Sequence, residues 1–430
     1  MSILDRTVLF NSLWMIAEKI ITIFGVIFVT AFVAKYIGPE NFGKITFAAS
    51  VFGIVQTIAM FGLENILFQK ISKNRKLGEK LIKATHIVRN ILYLTLAPLV
   101  LLWIYFNSDF VTFIFSVASC ISLFFALNDV YGIYFNAILK SKINAILNTI
   151  GLSIAFLIRY LIAFFELNFF WLVIPIILTT FLPFILKYLY YHKIKQTNFI
   201  DYKKYLKIYR NNMLFSGKKL VLYSLSIAIF TQTSQLILGW KSKYDLGIYT
   251  VALTLGNGFY FIFTALISSV MVKIYAESSQ EKSEKMLFEL HFILIVISVI
   301  IGIFFRIFGS DIVEFLYGFE YLESVEIINT MIVVCGLSGI SAISEKYLLK
   351  FSAYNYLKIK TNIIVLINVP LTYILIEKFS LNGAVYSILT TSILSATIFN
   401  YFHRQSRIFF IQSSLFKMKN YIELFSKLRG

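Results

Sequence analysis

The sequence predicts an all-α, polytopic membrane protein of about 12 transmembrane helices, arranged as two six-helix lobes related by a pseudo-twofold axis along the membrane normal. Of its 430 residues, 58% are hydrophobic and 14% are charged, and the mean hydropathy is +0.78. Soluble domains contain about 45–50% apolar and about 25% charged residues, so this composition excludes a soluble globule. A spanning helix needs about 20 apolar residues, and the apolar content supplies roughly twelve such spans.

Apolar runs bounded by charges or turn residues locate the individual spans. They fall at 9–33, 45–65, 87–106, 110–133, 143–165 and 169–190 in the first half, and at 214–239, 246–272, 287–308, 327–349, 361–376 and 382–402 in the second. An even number of spans places both termini on one side of the membrane. The first run continues past Glu18 and Lys19, so it is predicted to be a retained span and not a cleaved signal peptide.

Lysine and arginine divide unevenly between the two sides of this topology. One set of loops and both termini carry 31 basic residues, the opposite loops carry 6, and 3 lie inside spans. Basic residues accumulate in cytoplasmic loops, so both termini are predicted to be cytoplasmic. The same rule explains the net charge of +18 without a nucleic-acid partner.

Several kinds of site have no signature in the sequence. The two cysteines, Cys120 and Cys335, lie in apolar runs and the four histidines are scattered, so neither a disulfide framework nor a metal site is predicted. No glycine-rich phosphate loop ending in Lys-Ser or Lys-Thr occurs, which argues against ATP hydrolysis by this chain. Secondary transport driven by an H⁺ or Na⁺ gradient, without a cofactor, fits these features.

Matching segments in the two halves indicate an internal duplication. Gly43–Ala48 resembles Gly247–Ala252 at an offset of 204 residues. Further matches occur in the same order: Phe135, Ala137 and Lys142 with Phe351, Ala353 and Lys358, and Ile177–Thr180 with Ile388–Thr391. We therefore predict an N-terminal lobe over residues 1–200 and a C-terminal lobe over 201–430. Six spans per half make the repeats parallel, an arrangement that places a transporter's substrate between them.

Polar residues at helical spacing mark candidate functional faces within the spans. Span 1 carries Asn11, Glu18, Thr22 and Gly25 on one face, and span 5 carries Asn144, Asn148, Gly151, Ala155 and Arg159. Ionisable residues inside a membrane are costly, at about 2.5–3.5 kcal/mol each, and are often functional. We predict a cationic, substrate-binding cavity formed by Lys19, Arg89, Arg159 and Lys219, with Glu18 and Asp129 coupling an ion or tuning the charge.

Structural readings of the same residues remain open. Small and amide side chains at helical spacing also form packing surfaces between helices. Arg89 and Lys219 also fit a role as topology charges near cytoplasmic ends, and Asp129 also fits a pair with a neighbouring lysine. A pair between Glu345 and Lys346 at the end of span 10 is a further structural option.

The N-terminal stretch resembles a known transporter family. The residues that carry the resemblance are the Glu18–Lys19 pair, the turn Tyr36-Ile-Gly-Pro-Glu-Asn-Phe-Gly43, and Phe61–Glu64 at the end of span 2. They resemble Wzx-type polysaccharide (O-antigen) flippases, which share a MATE-like superfamily with multidrug exporters and lipid II flippases. Gly38, Pro39, Glu40 and Gly43 form the turn motif and are expected to have a structural role.

The resemblance implies a function and a location. Such a protein moves an undecaprenyl-diphosphate-linked oligosaccharide across the bacterial cytoplasmic (inner) membrane by ion-coupled alternating access, without enzymatic chemistry. Its implied partners are the lipid-linked oligosaccharide, membrane lipids and other polysaccharide-assembly membrane proteins. Alternatives are a MATE-like small-molecule exporter and a polytopic polysaccharide polymerase, although the short external loops argue against the polymerase.

Overall fold

A computed structural model describes residues 6–196, 203–403 and 407–416, and in these ranges all regular secondary structure is helical. The predicted fold class is confirmed. The longer helices are α1 (Arg6–Met60), α2 (Leu63–Lys73), α3 (Arg75–Asn107), α4 (Phe110–Asn128), α5 (Tyr131–Ala137), α6 (Ser141–Phe164), α7 (Val173–Ile194), α8 (Lys203–Lys241), α9 (Lys243–Asn257), α10 (Tyr260–Ala276), α11 (Gln280–Tyr317), α12 (Glu323–Lys350) and α13 (Tyr354–Ala396). Two short helices follow, α14 (Ile398–Tyr401) and α15 (Ile408–Ser413).

The described helices account for the predicted spans, although not one for one. Among the described residues, nine helical segments are long and apolar enough to cross a membrane. Two of these, within Ala17–Met60 and Tyr354–Tyr401, each contain two predicted spans joined at a kink. The remaining predicted span, 214–239, lies within α8.

The kink in α1 is the predicted turn motif. Gly38 has φ 75° and ψ 167°, the only non-helical backbone inside α1, and this positive φ favours glycine. Helical geometry resumes at Pro39, so this proline begins the second arm of α1 and does not simply end the first. A proline at the first helical position loses no hydrogen bond, because that N–H has no partner inside the helix.

The chain divides into two compact units by its contacts, Met1–Gly247 (unit 1) and Ile248–Gly430 (unit 2). In unit 1, α6 packs against α1 and α7, and α4 packs against the same two helices. In unit 2, α12 packs against α10, α11 and α13, and its apolar stretch is the most buried of the candidate spans, at 61%. The lobe division after residue 200 stays a prediction.

Two glycines bring the segments Pro39–Gly43 and Lys243–Gly247, both within unit 1, into close contact. A Cβ on Gly43 would lie 1.7 Å from the carbonyl oxygen of Lys243, and one on Gly247 would lie 2.0 Å from that of Pro39. Each glycine thus contacts the residue four positions before the other, and both pairs share the 204-residue offset of the repeat. This reciprocity is the signature of a local twofold relation between the two segments.

We expect Gly43→Ala and Gly247→Ala each to destabilise the protein by about 1–3 kcal/mol or more, since neither carbonyl can yield without moving a helix backbone. Thermal unfolding of the purified chain in detergent measures this loss. Gly53→Ala is the matched control, because its nearest neighbour lies 3.7 Å away in ordinary contact. The control should gain about 0.5–1 kcal/mol from helix propensity. Equal melting temperatures for the three variants would contradict the close contact.

Candidate functional site

Five polar side chains meet inside unit 1 where several helices begin or end. Glu18 lies in α1, Asn144 and Asn148 in the first turns of α6, Asp129 directly after α4, and Lys187 in the last third of α7. We call these five residues the unit-1 polar network. By the predicted topology, it lies toward the cytoplasmic side of the bundle.

Glu18 is held by amides from the facing helix. Its side chain is buried, with 9% of the residue exposed. Asn144 Nδ2 donates to Glu18 Oε2 over 3.4 Å, and Asn148 Nδ2 donates to Glu18 Oε1. The stripes predicted on spans 1 and 5 therefore face each other, and Gly25 also meets Phe156 across this interface. Amide donors compensate a carboxylate for the water it loses on burial.

The second part of the network is an ion pair that closes the space between α4 and α7. Lys187 Nζ donates to Asp129 Oδ2, and the two side chains are 3% and 17% exposed. A Cβ on Gly132 would lie 3.2 Å from Asn144 Oδ1 and 3.5 Å from Lys187 Nζ, so only a very small residue leaves room here. Glu18 is close enough to Asp129 for their carboxylates to repel.

This arrangement has spare capacity for a small cation. Asp129 Oδ1 and Asn144 Oδ1 are buried and have no hydrogen-bond partner. The network holds two carboxylates against one ammonium group, and oxygen atoms are the ligands that hard cations prefer. Within the described ranges no group of three or more His, Cys, Asp or Glu side chains forms a cluster suited to a metal. The unpaired donors are oxygen atoms only, and these suit a hard cation better than a soft transition metal.

Arg89 binds the end of the helix that precedes Asp129. It is completely buried, and its Nη1 donates to the carbonyl oxygen of Leu127 over 2.7 Å, in the last turn of α4. A cation at this position satisfies a terminal carbonyl and interacts favourably with the helix dipole. Its Nε and Nη2 lack hydrogen-bond partners. Arg89 thus fixes the end of the helix that presents Asp129.

The other predicted cations lie apart from this network. Lys19 is exposed beside Glu18 on α1. Arg159 is half-buried and donates to Thr30 Oγ1 over 3.3 Å, four turns further along α6 than Asn144. The side chain of Lys219 is outside the described residues. No contact among the described residues joins Lys19, Arg89 and Arg159, so a shared cationic cavity stays a prediction.

Unit 2 contains a matching network that sequence reasoning missed. Lys360 Nζ lies 3.1 Å from Glu345 Oε1 and donates to Asn400 Oδ1 over 2.9 Å. Glu345 therefore pairs with Lys360, whereas Lys346 donates to Ser268 Oγ. Glu345 and Lys360 follow Asp129 and Asn144 by 216 residues, the offset of the Phe135 and Phe351 match. The same offset, applied to the polar residues Asp129 and Asn144, is the signal in the sequence that identifies Glu345 and Lys360.

Lys187 and Lys360 also change the count of basic residues in the cytoplasmic loops. The 31 basic residues counted in the cytoplasmic loops and termini include Lys187, at the end of the span predicted over 169–190, and Lys360, just before the span predicted over 361–376, yet both lie inside helices, with side chains 3% and 1% exposed. Each is buried because an acidic partner on a neighbouring helix neutralises it. Without these two residues, the cytoplasmic loops and termini still carry most of the basic residues. The predicted orientation is therefore unchanged.

The turn motif is also tied to its neighbours by charge. Lys44 Nζ lies 2.8 Å from Glu40 Oε1 and 3.1 Å from Asp109 Oδ2. Burial acts to raise the pKa of Asp109, but hydrogen bonds from Thr112 and Lys44 outweigh it and hold that pKa below its ordinary value. Asp109 also caps α4 through the backbone N–H of Thr112. Through Lys44, these contacts connect Glu40 of the turn to the start of α4.

Comparison with known proteins finds a matching family model. The model of a family described as polysaccharide biosynthesis protein matches residues 32–326. No curated protein matches the chain.

Solved structures share the fold over nearly the whole chain. An inward-facing multidrug resistance MATE family transporter of the MOP superfamily aligns with a TM-score of 0.67 at 16% identity, covering 92% of this chain and 96% of that one. The lipid II flippase MurJ in an inward closed conformation aligns with a TM-score of 0.72 at 15% identity, covering 97% and 92%. At these identities the likeness establishes the fold alone.

We expect the Asp129–Lys187 pair to behave as a buried ion pair. Asp129→Asn and Lys187→Met should each cost about 3–5 kcal/mol, because each leaves one buried charge unpaired. The double variant should recover a large part of that loss, since it buries no charge at all. Thermal unfolding of the four chains in detergent provides the double-mutant cycle.

Arg407→Gln is the control for this cycle. Arg407 lies 3.5 Å from Glu284 in a pair whose arginine side chain is 53% exposed, so its loss should cost less than about 1 kcal/mol. Additive losses in the double variant would show that Asp129 and Lys187 do not stabilise each other.

Proposed function

Because the chain belongs to the polysaccharide biosynthesis protein family, whose model matches residues 32–326, we propose that it is a flippase for an undecaprenyl-diphosphate-linked oligosaccharide. It would carry the O-antigen or a related repeat unit across the bacterial cytoplasmic membrane, with both termini cytoplasmic, and would make or break no covalent bond. The family match is the observation that carries this proposal. The described bundle adds a polar, ionisable network inside an otherwise apolar set of helices.

The unit-1 polar network is the proposed coupling site. Glu18 is buried on α1 and contacts amides of α6, so a change in its charge alters the attraction between these two helices. A bound proton or cation neutralises the carboxylate, and a cation can also fill the unpaired oxygens of Asp129 and Asn144. An ion can thereby shift the packing of α1 against α6, which is the physical requirement for driving alternating access by a gradient.

The proposed substrate contacts are the accessible cations. A diphosphate-linked sugar presents negative oxygens that lysine and arginine bind by charge-assisted hydrogen bonds. Lys19 is exposed and Arg159 half-buried, so these two are available to a substrate. Arg89 is fully enclosed and is assigned to positioning Asp129 through α4. Lys219 keeps its predicted role as a substrate-binding cation.

One observation favours a second candidate, a MATE-like exporter of small cationic molecules. The unit-1 polar network carries two carboxylates and one ammonium group, and an excess of negative charge attracts cations. Export of a cationic dye such as ethidium from cells that express the chain tests this alternative. Dye export without transfer of lipid-linked sugar would replace the flippase proposal.

Complementation of a flippase-deletion strain tests the proposed function directly. The unaltered chain should restore exposure of lipid-linked oligosaccharide on the outer leaflet. Glu18→Gln should reduce this exposure by at least about tenfold, because a charge-assisted contact is worth about 1.5–3 kcal/mol. Lys19→Gln and Arg159→Gln should each reduce it as well, by weakening phosphate binding. Protein abundance in the membrane is measured for every variant.

Glu64→Gln is the matched control for Glu18→Gln. Glu64 is exposed in the first turn of α2, outside the network, and its neutral variant should transport like the unaltered chain. Full transport by Glu18→Gln would remove the coupling assignment and leave the flippase intact. Failure of the unaltered chain with several lipid-linked glycans would overturn the flippase itself.

A further inference from the structure

A cavity on unit 2 lies far in sequence from the network above. It is a groove of about 500 Å³ between α11 and α12, lined mainly by aliphatic side chains. Ser298 and Gly336 form its floor, where the two helices approach so closely that a Cβ on Gly336 would lie 2.8 Å from Ser298 Oγ. At Gly302 the groove is open, because a Cβ there would meet no atom within 4 Å.

Polar groups occur at one end of this groove. The helices are antiparallel neighbours joined by a short connection, so Arg306 on α11 and Asn329 on α12 lie at the same end. Arg306 is exposed, and no acidic side chain pairs with it in the described part of the chain. Asn329 Oδ1 is buried without a hydrogen-bond donor. One helical turn beyond Asn329, the exposed carboxylate of Glu326 adds a negative charge.

The dimensions of the groove match one leaflet. It follows α11 from Ile295 to Arg306, eleven helical steps that span about 16 Å at about 1.5 Å per residue. The hydrocarbon core of a bilayer is about 30 Å thick, so the groove extends over about half of it. A phospholipid acyl chain has this reach. A polyprenyl chain long enough to cross both leaflets would extend well past the end of the groove.

We propose that the α11–α12 groove is a binding site for a phospholipid with a primary ammonium headgroup, of the phosphatidylethanolamine class. The acyl chain lies in the aliphatic part, the phosphate binds Arg306, and the ammonium donates to Asn329 Oδ1 and Glu326. This assignment uses all three polar groups at the groove end. A choline headgroup lacks N–H donors for the two acceptors, and a glycerol headgroup lacks the cation that Glu326 favours.

Native mass spectrometry of the full-length protein in detergent tests the site. The protein is titrated separately with phosphatidylethanolamine, phosphatidylcholine and phosphatidylglycerol that carry the same acyl chains. Binding of phosphatidylethanolamine should be about tenfold tighter than binding of either other lipid, because only this headgroup satisfies both the cation and the acceptors. The assay measures binding alone, so its outcome is independent of transport.

Two variants remove different parts of the site. Gly302→Leu adds a side chain where a Cβ meets no atom within 4 Å, and it exchanges glycine for a better helix former, so it should fold at least as well as the unaltered chain. Arg306→Gln removes the phosphate contact. Each should weaken phosphatidylethanolamine binding by about tenfold. The matched controls are Ile300→Leu, on α11 but outside the groove, and Lys378→Gln, an exposed cation elsewhere in unit 2.

Selective phosphatidylethanolamine binding that both site variants lose and both controls keep would support the assignment. Equal binding of the three lipids, or binding that Gly302→Leu leaves unchanged, would overturn it. A polyprenyl phosphate that displaces bound phosphatidylethanolamine and binds more tightly would also overturn it, and would identify the groove as a site for the substrate's own chain.

Discussion

A charge inside an apolar bundle has to find its partner within the protein, and the described structure is organised by this constraint. Hydrocarbon offers no hydrogen bonds, so an unpaired ionised group costs several kcal/mol. Lys187 and Lys360 are buried at 3% and 1% exposure because an acid on an adjacent helix neutralises each. Both pairs therefore determine which helices pack together. Apolar contacts specify neighbouring helices less strictly, because apolar side chains are interchangeable.

The duplicated halves meet this constraint with the same positions but different residues. Asp129 and Glu345 are equivalent acids at an offset of 216, and the next helix offers Asn144 in one half and Lys360 in the other. Unit 1 takes its ammonium group from α7 instead, through Lys187. Asn144 can therefore donate to Glu18. This hydrogen bond compensates the second buried carboxylate for the water it loses. The exchange of one asparagine for one lysine thus separates a half whose polar network has two carboxylates and one ammonium group from a half in which Glu345 and Lys360 balance each other.

The sequence was sufficient for the fold and for the family, both of which are confirmed. Composition required a membrane bundle, and the turn at Gly38 and the glycine repeat were readable because only glycine tolerates those backbone positions. The stripes of spans 1 and 5 contain Glu18 and Asn148, which contact each other across these two helices. Helical periodicity places residues on a face, but it does not say which helix that face meets. Lys187 therefore escaped detection, since its partner lies 58 residues earlier and on another helix.

The same limitation explains why buried arginines resist interpretation from sequence. Arg89 and Arg159 are both cations within predicted spans, yet Arg89 binds a helix-terminal carbonyl and Arg159 a threonine hydroxyl. Neither has an acidic partner in the described ranges, and both retain an unpaired Nε. A guanidinium group has five donors in a fixed geometry, so one protein contact leaves most of them free. In a membrane interior those donors need water or an anion, which makes Arg159, the more accessible of the two, the stronger candidate for contact with a phosphate.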